Sequence, residues 1–197
     1  MLITIDGYSC QGKSYFGEQI AQKMGLSFFS TGLLVRFIAY HYGRSEKRDT
    51  EPMLAIQNAL GVLEKTDIDD IILMENLRQL KTERYLKEIS QFSFIMPALQ
   101  RKLKSYVYGK NILLDGRYTF YIFPEADRKY YFRSTIENRI SLVVRAKGLS
   151  YKEARAYVLY RDSFEEEVVV PNSVTIIDPF AFSKDSLVDY LLKDIQR

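Results

Sequence analysis

The chain has 197 residues, 47% of them hydrophobic and 27% charged, with a formal net charge of +3. That length suits one α/β domain with a real core. The charge excess is too small to point to nucleic acid as a bulk partner, and no apolar run approaches the ~20 residues of a membrane span. The single cysteine, Cys10, cannot form an internal disulfide. With a chain that begins on strand-like residues rather than a basic and apolar leader, this leads us to expect a cytoplasmic protein.

Residues 2–5 (Leu-Ile-Thr-Ile) read as a short apolar strand, followed by Asp6 and a glycine-bounded loop. Gly7, Tyr8, Ser9, Cys10, Gln11, Gly12, Lys13 and Ser14 fit G-x-x-x-x-G-K-[ST], in the strand–loop–helix setting that this phosphate-cradling motif requires. Glycines let successive backbone N–H groups converge on an anion, and the following helix aims its positive end at the same place. Lys13 supplies a mobile cation for the outer phosphates of a nucleoside triphosphate, and Ser14 a hydroxyl for Mg²⁺. Phe16, Ile20 and Met24 recur at four-residue spacing, so residues 13–24 are expected to be an amphipathic helix stopped by Gly25.

Residues 26–29 are expected to form a second strand, and Ser30-Thr31-Gly32 to lead into a helix over 33–42 that carries Arg36. His41, the only histidine, sits between two tyrosines and reads as a surface or capping residue. Thr50 is expected to cap a helix through Leu63, with Met53, Ile56, Leu60 and Leu63 as its apolar stripe. A short strand is expected at 71–74 and helices at 82–91 and 97–108, the last burying Leu99, Leu103 and Val107.

Residues 111–117 form the second informative stretch. An apolar strand ending in Asp115-Gly116 puts a carboxylate at the strand's C-terminal edge, where open α/β sheets bind ligands. Asp115 is a candidate Mg²⁺ ligand opposite Lys13 and Ser14, an ordinary Asp-Gly turn being the alternative. Residues 129–133 are expected to be a strand. Ser134 with Glu137, and Ser150 with Glu153, fit capping boxes that open helices to Lys147 and to about Glu166. These helices carry Arg139, Arg145, Arg155 and Arg161. A last strand at 174–178 and a helix capped by Ser183 close the chain. Strand and helix signals alternate, which predicts a parallel sheet with helices on both faces. The expected division is one domain, with a core of residues 1–44, 109–134 and 172–197, a segment at 45–108 and a helical segment at 135–170.

Five pieces of the chain, in order and approximate spacing, resemble the cytidylate kinases among the nucleoside monophosphate kinases. These are Ile3–Gly7 with Gly12-Lys13-Ser14; Ser30-Thr31-Gly32-Leu33-Leu34-Val35-Arg36; Leu80-Lys81-Thr82 with Ile89-Ser90-Gln91; Leu114-Asp115-Gly116-Arg117 with Phe123-Pro124-Glu125-Ala126; and Arg161-Asp162. The resemblance implies a three-layer P-loop NTPase fold, ATP with Mg²⁺ on the phosphate loop, an acceptor monophosphate opposite, and an arginine-bearing lid at 135–170. Thr31, Arg36, Ser90 and Arg117 would face the acceptor, the two guanidiniums suiting its phosphate. Arg161, with Arg139 and Arg145, would come from the lid and offset charge on the transferring phosphoryl group. Lys13, Asp115, Arg117 and Arg161 would thus carry the catalysis.

The departures fall on the acceptor side. Tyr118 stands where the family has an Asp after Asp-Gly-Arg, Ser30 where it has an Asp before Thr-Gly, Glu165 where it has the second Asp of its late Arg-Asp-x-x-Asp-x-x-Arg run, and Val168 where that run ends in Arg. Losing such polar contacts costs a binding site several kcal/mol of discrimination. Two readings follow: a kinase acting on a CMP- or dCMP-like nucleotide or a related phosphorylated acceptor, and a nucleotide-binding regulator on a kinase fold that turns over weakly or not at all.

Overall fold

Five strands make one all-parallel sheet in the order β2-β3-β1-β4-β5: β1 Leu2–Gly7, β2 Ser27–Ser30, β3 Ile112–Asp115, β4 Arg128–Phe132 and β5 Thr175–Ile177. The structure is a computed structural model that describes residues 1–78, 80–163 and 167–197, the side chains of 76, 78, 80 and 81 excepted. Ile5 and Ser30 both lie opposite Asp115, and Gly7 lies opposite Phe132. The C-terminal strand ends are therefore level, and β1 delivers the glycine loop between β3 and β4.

Alternation along the strands divides the sheet into two faces. Ile3, Ile5, Leu113, Tyr130, Phe132 and Ile177 point one way and pack with Phe16 and Ile20 of α1 (Lys13–Met24) and with Leu187, Leu191 and Ile195 of the C-terminal helix Lys184–Ile195. At Gly17 α1 lies close against the sheet; a Cβ there would lie 2.6 Å from the Phe28 ring and 3.1 Å from Leu113. The opposite face holds Tyr131, which packs with Phe120, Val174, Val168 and Val170.

The chain divides into two compact units, residues 1–30 with 110–197, and residues 31–109. The first contains the whole sheet. In the second, α2 (Gly32–Gly43) packs on α3 (Pro52–Lys65), α4 (Ile68–Ile72), α5 (Leu80–Glu83) and α6 (Leu86–Ile89), and α7 (Ile95–Val107) packs on α3. Phe37, Ile38, Ile56, Leu63, Ile68 and Ile71 are among its buried side chains. By its own packing α2 groups with this unit, which begins at Thr31. The first unit's remaining helices are α8 (Thr119–Ile122), α9 (Ile136–Lys147), α10 (Tyr151–Asp162) and α11, the C-terminal helix.

Several local expectations are corrected. Residues 71–74 form no strand, because Asp67 accepts from Asp69 N (3.1 Å) and opens a helix with Asp69 and Asp70 in its first turn. Thr50 does not cap α3: Pro52 occupies its first position, which leaves Glu51 as the capping residue with no side-chain bond. The buried stripe of α3 is Ala55, Ile56, Ala59 and Leu63, while Met53 is exposed and Leu60 half-buried. The helix expected over 82–91 is two short pieces broken at Arg84-Tyr85. Tyr85 packs on Gly43, where a Cβ would come within 2.1 Å of the ring. α9 is capped one residue later than expected, by Thr135 accepting from Asn138 N at 3.2 Å, so no Ser134 box forms. The Ser150–Glu153 box is present, and α10 ends at Asp162; the expected end near Glu166 and the Glu165 position lie outside the described residues.

Candidate active site

The glycine loop owes its shape to three left-handed positions. Gly7 has φ 138°, and a Cβ there would stand 2.4 Å from the Phe132 carbonyl oxygen, so only glycine fits. Gly12 has φ 80° as the residue before α1, and Cys10 takes φ 64° despite its side chain. The loop thus curls above the strand end and leads directly into a twelve-residue helix whose first N–H groups lack helical partners. Lys13 is buried and its ammonium donates to the Tyr8 carbonyl at 2.7 Å, spanning the loop. Gln11 is buried as well.

Asp115, at the end of β3, is buried, and its Oδ2 accepts from the Ser14 hydroxyl and from the Ser30 hydroxyl, the latter at 3.2 Å. Three elements therefore meet at one carboxylate oxygen: the first turn of α1, the end of β2 and the end of β3. Serine at position 30 donates to Asp115, where an aspartate would repel it. A single carboxylate with a neighbouring hydroxyl suits Mg²⁺, which binds through few protein oxygens and keeps most of its waters. Among the described residues no cluster of three or more His, Cys, Asp or Glu forms a fuller metal cage.

Arg117 follows on the same stretch and donates through Nη2 to Ser9 Oγ at 2.6 Å. The residues after it are gripped from below. Asp6 Oδ1 accepts from Thr119 N (2.8 Å), and Asp6 Oδ2 from Thr119 Oγ1 (2.6 Å) and Phe120 N (3.0 Å). Burial pushes the Asp6 carboxyl up to about 6, against the pull of those hydrogen bonds and of Lys13. Arg117 and Tyr118 thus sit on a short bridge held at Asp115 on one side and at Thr119 on the other.

The arginines of α9 and α10 differ in their surroundings. Arg139, in the first turn of α9, is buried; its Nε donates to the Ser9 carbonyl at 2.9 Å, and its Nη1 and Nη2 reach Asp162 at 3.0 and 2.5 Å. Arg161 is buried in the last turn of α10. Burial raises the Cys10 thiol's pKa, against the opposing pull of Arg139, Arg161 and Lys13. Arg145 is exposed near the far end of α9.

The remaining expected residues belong to the second unit. Thr31 precedes α2 without capping it by its side chain. Arg36 donates to the Gly32 carbonyl at 3.2 Å and to Glu83 at 3.3 Å. Ser90 ends α6, exposed, with its hydroxyl bonded to the Lys87 carbonyl at 2.8 Å. His41 lies half-buried against Phe37 and Tyr40, and burial with nearby Arg44 lowers its pKa. Sequence reasoning did not find Asp6, Ser30, Glu83 or Asp162 as partners in these networks. The Arg161-Asp162 pair was visible as a motif, but the helix crossing that sends Asp162 to Arg139 was not.

No helix among the described residues is long and apolar enough to cross a membrane. Known proteins agree with this architecture. The chain is 26% identical over 207 residues to the cytidylate kinase of Thermus thermophilus, covering 100% of this chain and 99% of that one. It is 28% identical over 186 residues to the cytidylate kinase of Thermodesulfovibrio yellowstonii, covering 82% and 80%. Solved structures of similar fold include a gluconokinase from Sinorhizobium meliloti 1021, with TM-score 0.55 at 14% identity over 100% of this chain and 91% of that one. A deoxyadenosine kinase from M. mycoides has TM-score 0.54 at 15% identity, covering 100% of both. Residues 3–197 match the family described as cytidylate kinase, and the chain belongs to that family.

Proposed function

We propose that this protein transfers the γ-phosphoryl group of ATP to a nucleoside monophosphate of the CMP or dCMP kind, or to a closely related phosphorylated acceptor. The observation that carries the reading is the meeting of Ser14, Ser30 and Asp115 beside a curled glycine loop bridged by Lys13. In this reading residues 7–14 hold the ATP phosphates through backbone N–H groups, and Lys13 leaves the Tyr8 carbonyl for the outer phosphates. Ser14 and Asp115 hold Mg²⁺, which when bound neutralises phosphate charge. Arg117 and Arg161 offset charge developing on the transferred group, and Arg36, with Thr31 and Ser90, serves the acceptor. Positioning and electrostatics supply such catalysis without a covalent intermediate.

A weakly active or inactive nucleotide-binding regulator is the second reading, and one observation favours it. Val168, standing where the family has an arginine, packs into the apolar cluster of Phe120, Tyr131 and Val174. Together with Tyr118 it removes acceptor-side polarity while the donor side is intact. A panel of nucleoside monophosphates with ATP and Mg²⁺, followed by ADP release, separates the two. CMP or dCMP raising ADP release well above the ATP-only background supports the kinase. ATP binding with no acceleration by any acceptor supports the regulator.

A further inference from the structure

Arg139 has three features that do not fit a side chain waiting for a phosphate. It is 5% exposed. Its Nε holds the Ser9 carbonyl, and both of its terminal nitrogens engage the two oxygens of Asp162. Its guanidinium also lies 5.4 Å from the centre of the Tyr8 ring. One residue further along the loop, Cys10 packs on the apolar seam of Ile140, Val143, Ala154 and Val158, where α9 meets α10. Residues 8, 9 and 10 are therefore each attached to the α9–α10 hairpin, by a ring face, a carbonyl and a thiol in turn. A bidentate guanidinium–carboxylate pair fixes the fork in one orientation, which leaves the Nε aimed at Ser9.

We infer that Arg139 and Asp162 form a latch that sets the phosphate loop's shape from the α9–α10 hairpin, with Arg139 a positioning residue rather than a phosphate ligand. Asp162 orients Arg139, Arg139 orients the Ser9 peptide, and the Ser9–Cys10 backbone then takes the left-handed turn that faces N–H groups toward the anion. The lid hairpin and the donor loop form one mechanical piece, so a change in the hairpin alters affinity for the donor. This rests on the ATP-binding reading above, and it makes a prediction that a phosphate-ligand role for Arg139 does not. A ligand role has Asp162→Asn freeing Arg139, which leaves ATP binding unchanged or tighter. The latch has Asp162→Asn and Arg139→Gln weakening it alike.

The test measures ATP–Mg²⁺ affinity by calorimetry for the wild type, Asp162→Asn, Arg139→Gln and the double variant. It also follows the rate at which Cys10, the only thiol in the chain, reacts with a disulfide reagent without nucleotide. Thermal melts fix a temperature at which every variant is folded, and Arg139→Lys serves as the conservative variant if Arg139→Gln does not fold. The latch predicts that each single variant weakens ATP about tenfold, with the double variant no worse than either, since the residues act as one unit. It predicts the pH-independent rate of the Cys10 thiolate, taken from the pH profile so that each lost charge's effect on the thiol is set aside, about tenfold higher in each single variant, and only partial rescue by Lys, whose single ammonium cannot hold both partners. Unchanged Cys10 reactivity overturns the latch whether or not the wild type binds ATP. Tighter ATP binding in Asp162→Asn also overturns it. A wild type that binds no ATP overturns the donor reading instead, and the thiol rates still decide the latch.

Discussion

Replacing Asp6 by asparagine probes the buried carboxylate beneath the loop. Carrying a carboxyl from 3.8 up to about 6 corresponds to roughly 3 kcal/mol set against the ionised form by folding. Because the folded-state value is the higher one, the folded protein binds more protons between the two. The favourable contribution is therefore complete below about pH 3.8 and is lost as pH rises through about 6. Of that total, about 1.4 kcal/mol falls between pH 5 and pH 7.5. Asparagine does not titrate, so this slope vanishes in Asp6→Asn. At neutral pH the variant also turns an N–H toward the Phe120 N–H that Asp6 Oδ2 accepted, a mismatch that costs about 1–3 kcal/mol. Urea unfolding of both proteins across this pH range measures the difference directly. The reasoning predicts that wild-type stability, taken relative to Asp6→Asn, falls by about 1.4 kcal/mol from pH 5 to pH 7.5. A pH-independent difference, or one that grows with pH, refutes the assignment of a raised carboxyl to Asp6.

Three further outcomes follow from the same geometry. Lys13→Ala should lower kcat by about 10²–10³ in the phosphoryl-transfer assay while far-ultraviolet circular dichroism stays native, as expected for removing one preorganised charge. Arg36→Gln should raise the acceptor KM about tenfold, equivalent to ~1.4 kcal/mol, with the ATP KM unchanged; initial-rate kinetics varying each substrate separates the two constants. Gly17→Leu should destabilise the fold by at least about 2 kcal/mol in urea, because the added side chain starts 2.6 Å from the Phe28 ring.

Much of this architecture was legible in the sequence because short-range rules governed it. The apolar run at Leu2–Ile5, the glycines at 7 and 12 and the 3.6-residue spacing of Phe16 and Ile20 belong to one continuous stretch, and the structure keeps them as β1, loop and α1. The Ser150–Glu153 box and the Gly25 stop are likewise local, and both are present. The short apolar run at 71–74 suited strand and helix alike, and the Asp67 cap decided for helix. The pairings of the site were harder to read, because they join distant positions. Ser14 meets Asp115 across 101 residues, and Asp6 meets Thr119 across 113. Motifs marked Ser14 and Asp115 as functional residue types, whereas Asp6 reads as an ordinary strand end and Ser30 stands out only as a departure from the family's aspartate. Arg139 is the instructive case. As a basic residue on a late helix it read as a lid arginine, and only the packing of α9 on α10 supplies the carboxylate that engages it.

Phosphoryl transfer is best tested by following the phosphoryl group itself. Wild-type protein is incubated with ATP labelled in its γ-phosphate, Mg²⁺ and CMP, with dCMP and UMP in parallel and Lys13→Ala as control, and the products are separated. Label should appear in a nucleoside diphosphate made from CMP or dCMP, and should be greatly reduced with Lys13→Ala. Label that stays in ATP, or is released only as inorganic phosphate with every acceptor, contradicts it.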